Sequence, residues 1–178
     1  QPMLCKCRRY SIVFNGEIYN YRDLRASLIS SGSRFNSSSD TEVILEGFKQ
    51  HGVSFFEQLN GIFAFAIWDL HLQELIIARD RFGVKPLYYS ESGNVFTFGS
   101  EVKSILPKLL KKSHKINKQA FTEFLKYGNV LGSSTLYSGI NEFQPGSYMR
   151  ISKSRKLRKL FWNISDIAEI SISEEEAV

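Results

Sequence analysis

Two apolar runs decide the fold of this chain: Ile62-Phe63-Ala64-Phe65-Ala66-Ile67-Trp68 and Leu75-Ile76-Ile77-Ala78. Apolar residues occupy both odd and even positions of each run, so neither strand can leave one face in water. The segment from Asp69 to Glu74 is too short for a crossover helix, and we therefore expect an antiparallel hairpin. Antiparallel strands with two covered faces need a layer on each side. The pattern predicts a sheet between helices and a second sheet.

The sequence around this hairpin supplies the other elements. Alternation and turn residues predict strands at 10–14, 18–19, 87–90, 95–98, 147–151 and 157–162. Capping residues and helical periodicity predict helices at 20–32, 39–52, 100–106 and about 120–128, with a further short turn at 55–59. The tail, 163–178, shows no strong pattern and is interpreted as a linker.

Composition places the chain among globular proteins. With 178 residues, 43% of them hydrophobic, it can bury a core and is expected to form one domain. No apolar run reaches the ~20 residues of a membrane span, and the N-terminus lacks signal-peptide order, so we expect a cytoplasmic protein without membrane contact. Cys5 and Cys7 are too few for a disulfide framework and too close together for a useful bridge, which suits a reducing compartment. Nothing in the sequence resembles a metal site.

The formal net charge of +5 comes largely from two clusters, Lys108 to Lys118 and Lys153 to Lys159. Neither cluster is interleaved with aromatic residues, as surfaces that bind single-stranded nucleic acid usually are. We interpret both as solvated basic surfaces and expect no nucleic-acid partner. The opposite hypothesis would require DNA association with a steep salt dependence.

The pair Asn15-Gly16 allows two interpretations. Asn-Gly between alternating apolar residues is the strongest short signal for a hairpin turn. An amide side chain beside a glycine N–H is also a means of binding a developing negative charge.

Four segments of the chain form an ordered set of motifs. They are Phe14-Asn15-Gly16-Glu17-Ile18-Tyr19-Asn20, Ser39-Asp40-Thr41-Glu42-Val43-Ile44, Asn60-Gly61-Ile62-Phe63-Ala64-Phe65-Ala66-Ile67-Trp68-Asp69, and Ala78-Arg79-Asp80-Arg81-Phe82-Gly83-Val84-Lys85-Pro86-Leu87-Tyr88-Tyr89. In this order they resemble the glutaminase domain of glutamine-hydrolysing asparagine synthetase. That resemblance implies an α+β fold of the N-terminal-nucleophile type, a four-layer α-β-β-α sandwich of antiparallel sheets, over residues 1–162. It makes residues 163–178 a linker or the start of a synthetase domain.

The resemblance also implies a reaction and a set of site residues. In that family an N-terminal cysteine attacks the carboxamide of glutamine, ammonia leaves, and water hydrolyses the thioester to glutamate. The Asn15 side-chain amide and the Gly16 N–H would stabilise the oxyanion, each donor being worth ~2.7–4 kcal/mol. Glu17 and Asp40 would hold the α-ammonium group of glutamine through charge-assisted hydrogen bonds.

Each assignment has a structural alternative. Asn15-Gly16 is compatible with a type I′ turn that also presents the glycine N–H, Glu17 with a solvated strand residue, and Asp40 with a first-turn acid that the helix dipole favours. Arg79-Asp80-Arg81 suggests a phosphate site, but no glycine-rich loop runs into a helix there, so we interpret it as structural. The histidines are expected at the surface and not as general bases: His51, His71 and His114.

The sequence departs from the family pattern at its start, because residue 1 is glutamine. Gln1-Pro2-Met3 resembles a segment just before the Asn-Gly-Glu strand. We therefore expect a domain that is incomplete at the N-terminus, without the nucleophile, the first strands and the arginine segment that would hold the substrate carboxylate. Cys5 or Cys7 is not expected to replace the nucleophile, because each is predicted in a turn without a neighbouring base.

These expectations define the predicted function. The chain is expected to be an inactive glutaminase part of an enzyme that amidates aspartate in asparagine biosynthesis. ATP and Mg²⁺ would serve the missing C-terminal synthetase domain, and this domain would carry no cofactor. The alternative is a degenerate module that binds glutamine or a partner protein without catalysis. A homodimer is left open.

Overall fold

The computed structural model describes residues 1–109 and 115–166, which form an α+β fold. Two short 3₁₀ helices, Gly52–Gln58 and Ile164–Asp166, accompany the elements named next. The helices are α1 (Tyr21–Ser30), α2 (Asp40–His51), α3 (Val102–Leu109) and α4 (Lys118–Tyr127). The strands are β1 (Met3–Leu4), β2 (Tyr10–Ile18), β3 (Gly61–Asp69), β4 (Glu74–Arg79), β5 (Tyr88–Ser92), β6 (Val95–Gly99), β7 (Ile140–Glu142), β8 (Ser147–Ile151) and β9 (Lys156–Leu160).

The strands form two antiparallel sheets. The larger sheet has the order β1-β2-β3-β4-β8-β9, and the smaller one has the order β6-β5-β7. The predicted hairpin is confirmed, since β3 and β4 pair antiparallel with Ile67 opposite Ile76 and Ala66 opposite Ile77. Both apolar runs therefore occupy central strands of the larger sheet.

Alternate residues of β3 pack into two separate cores. Phe63, Phe65 and Ile67 lie in the core beneath α1 and α2. Ala64 and Ala66 lie in the second core, between the two sheets, where their small side chains let the sheets approach. Each fully buried large apolar side chain contributes about 1.5–3 kcal/mol to the free energy of folding. Apolar residues at odd and even positions of β3 therefore stabilise the cores on both faces of the larger sheet.

Helix α3 completes the fourth layer on the outer face of the smaller sheet. It packs on β5 and β6 and buries Ile105, while Tyr88, Val102 and Phe124 line a space on the same face. The order of layers is helices, larger sheet, smaller sheet, helices. The predicted α-β-β-α sandwich is confirmed.

Several local predictions were wrong. Helix α3 continues through Pro107 to Leu109, because the proline removes only one backbone N–H while Ile105 anchors the helix in the core. The short strand β7 was not predicted, and β9 ends at Leu160. The amphipathic helix α4 ends at Gly128 as predicted, but only its Ala120 is buried.

The most consequential error concerns Asn15-Gly16, which form no turn. Both residues lie inside β2, where Asn15 is opposite Ala64 and Gly16 is opposite Phe63. The continuous register between β2 and β3 outweighs the local turn preference of Asn-Gly, because nine successive cross-strand pairs depend on it.

The two cysteines were also predicted incorrectly. Cys5 and Cys7 form a disulfide in the turn between β1 and β2, where their Cα atoms are 5.3 Å apart. The Arg8 N–H donates to the Cys5 carbonyl in this turn, so the chain folds back and brings the two side chains together.

Candidate functional site

A cavity of about 250 Å³ lies between the two sheets, at one end of the sandwich. Its walls include Ala64 and Ala66 from the larger sheet, Phe98 from the smaller sheet, and Leu87, which directly precedes strand β5 of the smaller sheet. Polar side chains stand at its rim: Gln1, Asn15 and Ser100. The cavity therefore combines an apolar interior with a polar opening, which is the usual composition of a small-ligand site.

Asn15 projects from β2 toward the smaller sheet. It lies opposite Ala64, whose side chain belongs to the core between the sheets, and cross-strand partners share a face. The Asn15 amide is exposed, and its Nδ2 donates to the Ser100 Oγ at 3.3 Å. A side-chain amide donor therefore stands at the rim of the cavity.

The Gly16 N–H points along the plane of the sheet, away from β3. Its cross-strand partner Phe63 directs both backbone groups to Asp80 instead: the Phe63 N–H donates to the Asp80 Oδ2 (3.2 Å), and the Phe63 carbonyl accepts from the Asp80 N–H (2.8 Å). Gly16 and Phe63 thus form a non-hydrogen-bonded pair, and the backbone groups of Gly16 face the outer edge of β2.

Gln1 and Asp40 occupy the same edge of β2, on either side of Gly16. The Gln1 side-chain amide donates to the Phe14 carbonyl (2.6 Å) and accepts from the Phe14 N–H (2.7 Å). The Asp40 Oδ2 accepts from the Ile18 N–H at 3.1 Å. The Asp40 carboxylate therefore follows the Gly16 N–H by one strand repeat, roughly 7 Å along the edge.

Glu17 lies on the same face of β2 as Asn15 and is exposed. The structure thus brings together Gly16 and Asp40 on one edge, and Asn15 and Glu17 on the adjoining face. The cavity borders this corner at Asn15, and Gln1 lines it on the edge, whereas Gly16, Glu17 and Asp40 lie outside its lining. The corner thus presents two neutral N–H donors and two carboxylates beside the rim of the cavity.

Gly16 can occupy this position only as glycine. Its φ is +153°, which L side chains rarely adopt, and an added Cβ would lie 2.1 Å from the Ile62 carbonyl oxygen. The positive φ and the close approach of β3 therefore both require glycine at position 16, the residue whose N–H is the predicted donor.

Asp80 and Arg79 have structural roles, in agreement with the sequence interpretation. The buried Asp80 carboxylate accepts from the N–H groups of Phe63, Phe82, Val84 and Lys85. The Arg79 guanidinium donates to three backbone carbonyls and pairs with Glu142 at 2.8 Å. Both side chains are used in holding the link after β4.

Two residues of this corner were not among the predicted site residues, namely Gln1 and Ser100. Ser100 is 85 residues from Asn15 in the chain, and no spacing or motif signal connects them. Gln1 was recognised only as part of a motif. Its side chain extends the edge of β2 in a way that local sequence cannot reveal.

Glu42 orders the loop that leads into Asp40. Its carboxylate accepts from the Asn36 N–H, the Ser37 N–H and the Ser37 hydroxyl, while Ser39 caps α2 by accepting from the Thr41 N–H. Burial by itself would raise the pKa of Glu42, but these hydrogen bonds, together with Arg25, hold the pKa below its ordinary value. Ser39 and Glu42 have the spacing of a capping box, but the Glu42 carboxylate binds the preceding loop at Asn36 and Ser37.

A fall in pH should therefore lower the free energy of unfolding by protonating Glu42. Because its folded-state pKa is lowered, the stabilisation is fully present above the ordinary carboxyl value, ~4.3, and is lost as pH falls toward the folded-state pKa. We expect Glu42→Gln to lower the free energy of unfolding at pH 7 and to reduce its decline between pH 5 and about pH 3. Urea unfolding at both pH values measures this, with the exposed Glu57→Gln as control. An unchanged pH slope in Glu42→Gln would contradict it.

The remaining candidate groups lie away from this corner. His51 stacks on Phe55, and His71 donates its backbone N–H to Asp69, while His114 lies outside the described residues. Part of the first basic cluster, 110–114, also lies outside them. Within residues 1–109 and 115–166, no group of three or more His, Cys, Asp or Glu side chains could hold a metal ion.

No helix in the described part of the chain is both long and apolar enough to cross a membrane.

Comparison with known proteins identifies the kind of domain. Residues 1–162 match the family model of a glutamine amidotransferase domain. Asparagine synthetases (glutamine-hydrolyzing) 3 and 1 of Bacillus subtilis (strain 168) are 39% and 38% identical over 167 and 151 residues, which are 92% and 85% of this chain. The chain spans only 27% and 24% of those proteins, about a quarter of their length.

Solved structures share the fold. The glutamine phosphoribosylpyrophosphate amidotransferase from B. subtilis superposes with a TM-score of 0.63 at 23% identity, covering 91% of this chain and 32% of that one. A structure described as the allosteric regulatory enzyme of purine biosynthesis gives a TM-score of 0.64 at 24% identity, with 91% and 31% coverage. These likenesses confirm the four-layer fold of the N-terminal-nucleophile amidotransferases.

Proposed function

The chain belongs to the glutamine amidotransferase family, and we propose that it is the glutamine-binding part of an asparagine synthetase-like enzyme. In the whole protein, glutamine would be hydrolysed to glutamate and ammonia, and the ammonia would amidate aspartate in an ATP-dependent step. One observation carries the proposal. The Asn15 amide lies at the rim of the cavity, and the Gly16 N–H and the Asp40 carboxylate follow it along the adjoining outer edge of β2.

The proposed binding mode assigns two protein groups to each of two polar parts of glutamine, the carboxamide oxygen and the α-ammonium group. The carboxamide oxygen accepts from the Asn15 Nδ2 and the Gly16 N–H. The α-ammonium group donates to Asp40 and Glu17, and each charge-assisted bond is roughly twice as strong as a neutral one. An extended glutamine side chain covers a distance similar to the roughly 7 Å strand repeat between the Gly16 and Ile18 N–H groups.

The same two donors suit the proposed reaction. When a nucleophile attacks the carboxamide carbon, negative charge develops on the oxygen that Asn15 and Gly16 hold. Donors that are already in place for that charge lower the barrier by about 3 kcal/mol each. None of the four site residues is the nucleophile in this scheme, so their contribution is binding and charge stabilisation.

The nucleophile of the proposed scheme is a thiolate, and this chain has only two cysteines, both used in the Cys5–Cys7 disulfide. We therefore propose that the chain by itself binds glutamine without hydrolysing it. The same observation supports a second candidate function, a module that binds glutamine and performs no catalysis, even within the whole protein. In this scheme ATP and Mg²⁺ would serve the synthetase domain of the whole protein.

Calorimetric titration of the chain with glutamine tests the proposal. We expect saturable binding, and at least about tenfold weaker binding for Asp40→Asn, because one charge-assisted hydrogen bond to the α-ammonium group is lost. Asp23→Asn is the matched control, since Asp23 is also a first-turn acid but is exposed on α1. Equal affinities of Asp40→Asn and the native chain would overturn the binding mode.

Ammonia release, measured in the same samples, tests the second part of the proposal. Release at the level of a blank is expected from the native chain. Turnover above that level would show that the chain contains a working nucleophile and would refute binding without hydrolysis.

A further inference from the structure

We propose that Ser100 is a positioning residue that orients the Asn15 side-chain amide toward the ligand, an inference that rests on the proposed function. The Asn15 Nδ2 donates to the Ser100 Oγ at 3.3 Å across the opening of the cavity. This hydrogen bond joins β2 of the larger sheet to the segment that follows β6 in the smaller sheet. The two sheets thus meet at the rim through one side-chain pair.

Orientation matters because the two ends of an amide have opposite hydrogen-bonding roles. Nδ2 carries two hydrogens and donates, whereas Oδ1 only accepts. With one Nδ2 hydrogen on Ser100, the second hydrogen is available to the carboxamide oxygen of the ligand. A rotated amide would present Oδ1, an acceptor, to the oxygen on which negative charge develops.

Ser100 is the restraint on this amide among the described residues. Asn15 is exposed, and the contact with Ser100 is its only side-chain hydrogen bond within residues 1–109 and 115–166. Without the contact, the side chain would gain rotamer freedom that ligand binding must then remove. Ser100 therefore acts through Asn15 and need not touch the ligand.

The residues on both sides of Ser100 are held at the start of α3. The Ser104 hydroxyl and the Ser104 N–H both donate to the Glu101 carbonyl, at 2.6 Å and 3.1 Å. A Cβ on Gly99 would lie 2.3 Å from the Ser104 Oγ, so this turn packs closely against the helix. Ser100 thus lies between two residues, Gly99 and Glu101, that both contact Ser104 of α3.

A double-mutant cycle on glutamine affinity tests the inference. Ser100→Ala should raise the Kd about fivefold, the size typical of one lost neutral hydrogen bond, while Ser100→Thr keeps the hydroxyl and should stay near the native value. In an Asn15→Ala background, Ser100→Ala should have no further effect. A fivefold loss in that background too would overturn the role through Asn15. The exposed Ser154→Ala serves as control.

The side-chain amide resonances of Asn15 give a readout that does not depend on ligand binding. Nitrogen–proton correlation spectra of the native chain should show an Asn15 Nδ2 pair displaced from free-amide positions, and Ser100→Ala should move it back. Unchanged resonances in Ser100→Ala would overturn the contact. If the native chain bound no glutamine, the proposed function would fail, while these spectra would still decide whether Ser100 orients Asn15.

Discussion

Gly16→Ala is expected to destabilise the protein by roughly 3–5 kcal/mol and to abolish glutamine binding. The new methyl group would lie 2.1 Å from the Ile62 carbonyl oxygen and 2.7 Å from the Phe63 Cα, both of which are backbone atoms of β3. Backbone atoms in a central strand cannot move aside as a flexible side chain can. The backbone φ of +153° adds strain of its own for any residue with a Cβ.

The matched control is Gly32→Ala, just after α1. Gly32 also has a positive φ, +93°, but its added Cβ would meet nothing within 4 Å. Gly32→Ala should therefore cost only about 1 kcal/mol, the part of the effect that comes from backbone conformation. Urea unfolding of both variants separates the steric loss of unfolding free energy from the conformational loss. Similar losses in the two variants would show that β2 and β3 are not packed as described.

Binding distinguishes the two variants further. Separation of β2 from β3 would move Asn15 and the Gly16 N–H, both in β2, relative to the cavity wall that Ala64 and Ala66 of β3 form. We expect Gly32→Ala to bind glutamine with the native affinity. A folded Gly16→Ala protein with native affinity would remove Gly16 from the proposed site.

Asp80→Ala is expected to destabilise the protein by at least about 4 kcal/mol, because it leaves one buried and three part-buried N–H groups without their acceptor, each at a cost of about 1–3 kcal/mol. The Asp80 side chain is 1% exposed. Its Oδ1 accepts from Phe82 and Val84, and its Oδ2 accepts from Phe63 and Lys85. One carboxylate thus ties β3 to the turn after β4.

Asp80→Asn keeps the prediction testable if the alanine variant does not fold. Asparagine retains one acceptor oxygen, but its NH₂ group would face two N–H donors in place of the second oxygen. We expect a loss between those of Asp80→Ala and the native protein. Thermal and urea unfolding measure it, with Asp23→Ala on the exposed face of α1 as control. A loss below about 1 kcal/mol for Asp80→Ala would contradict the network.

Gly16 and Asp80 also connect stability to the proposed function. Because Asp80 takes both backbone groups of Phe63, the opposite residue, Gly16, directs its own N–H to the outer edge of β2. The structural carboxylate therefore helps to set the direction of a proposed binding group without approaching the ligand.

The layered fold could be predicted from the sequence because its signals are local. Apolar residues at both parities of β3 and β4 require two covered faces, whatever the rest of the chain does. The limits of α2 follow from Ser39 and Gly52, which act within one turn of the helix ends. Four ordered motifs pointed to the family, which the comparisons confirm.

Only the tertiary structure decided how the candidate site is assembled. Asn-Gly favours a turn locally, but pairing with β3 keeps Asn15 and Gly16 in a strand, because register is set by the whole strand pair. The Asn15–Ser100 contact joins residues that are distant in sequence, and the edge position of Asp40 depends on how α2 packs on β2. Periodicity and caps are determined within a few residues of the chain, whereas the meeting of two side chains from different layers depends on the packing of the whole fold.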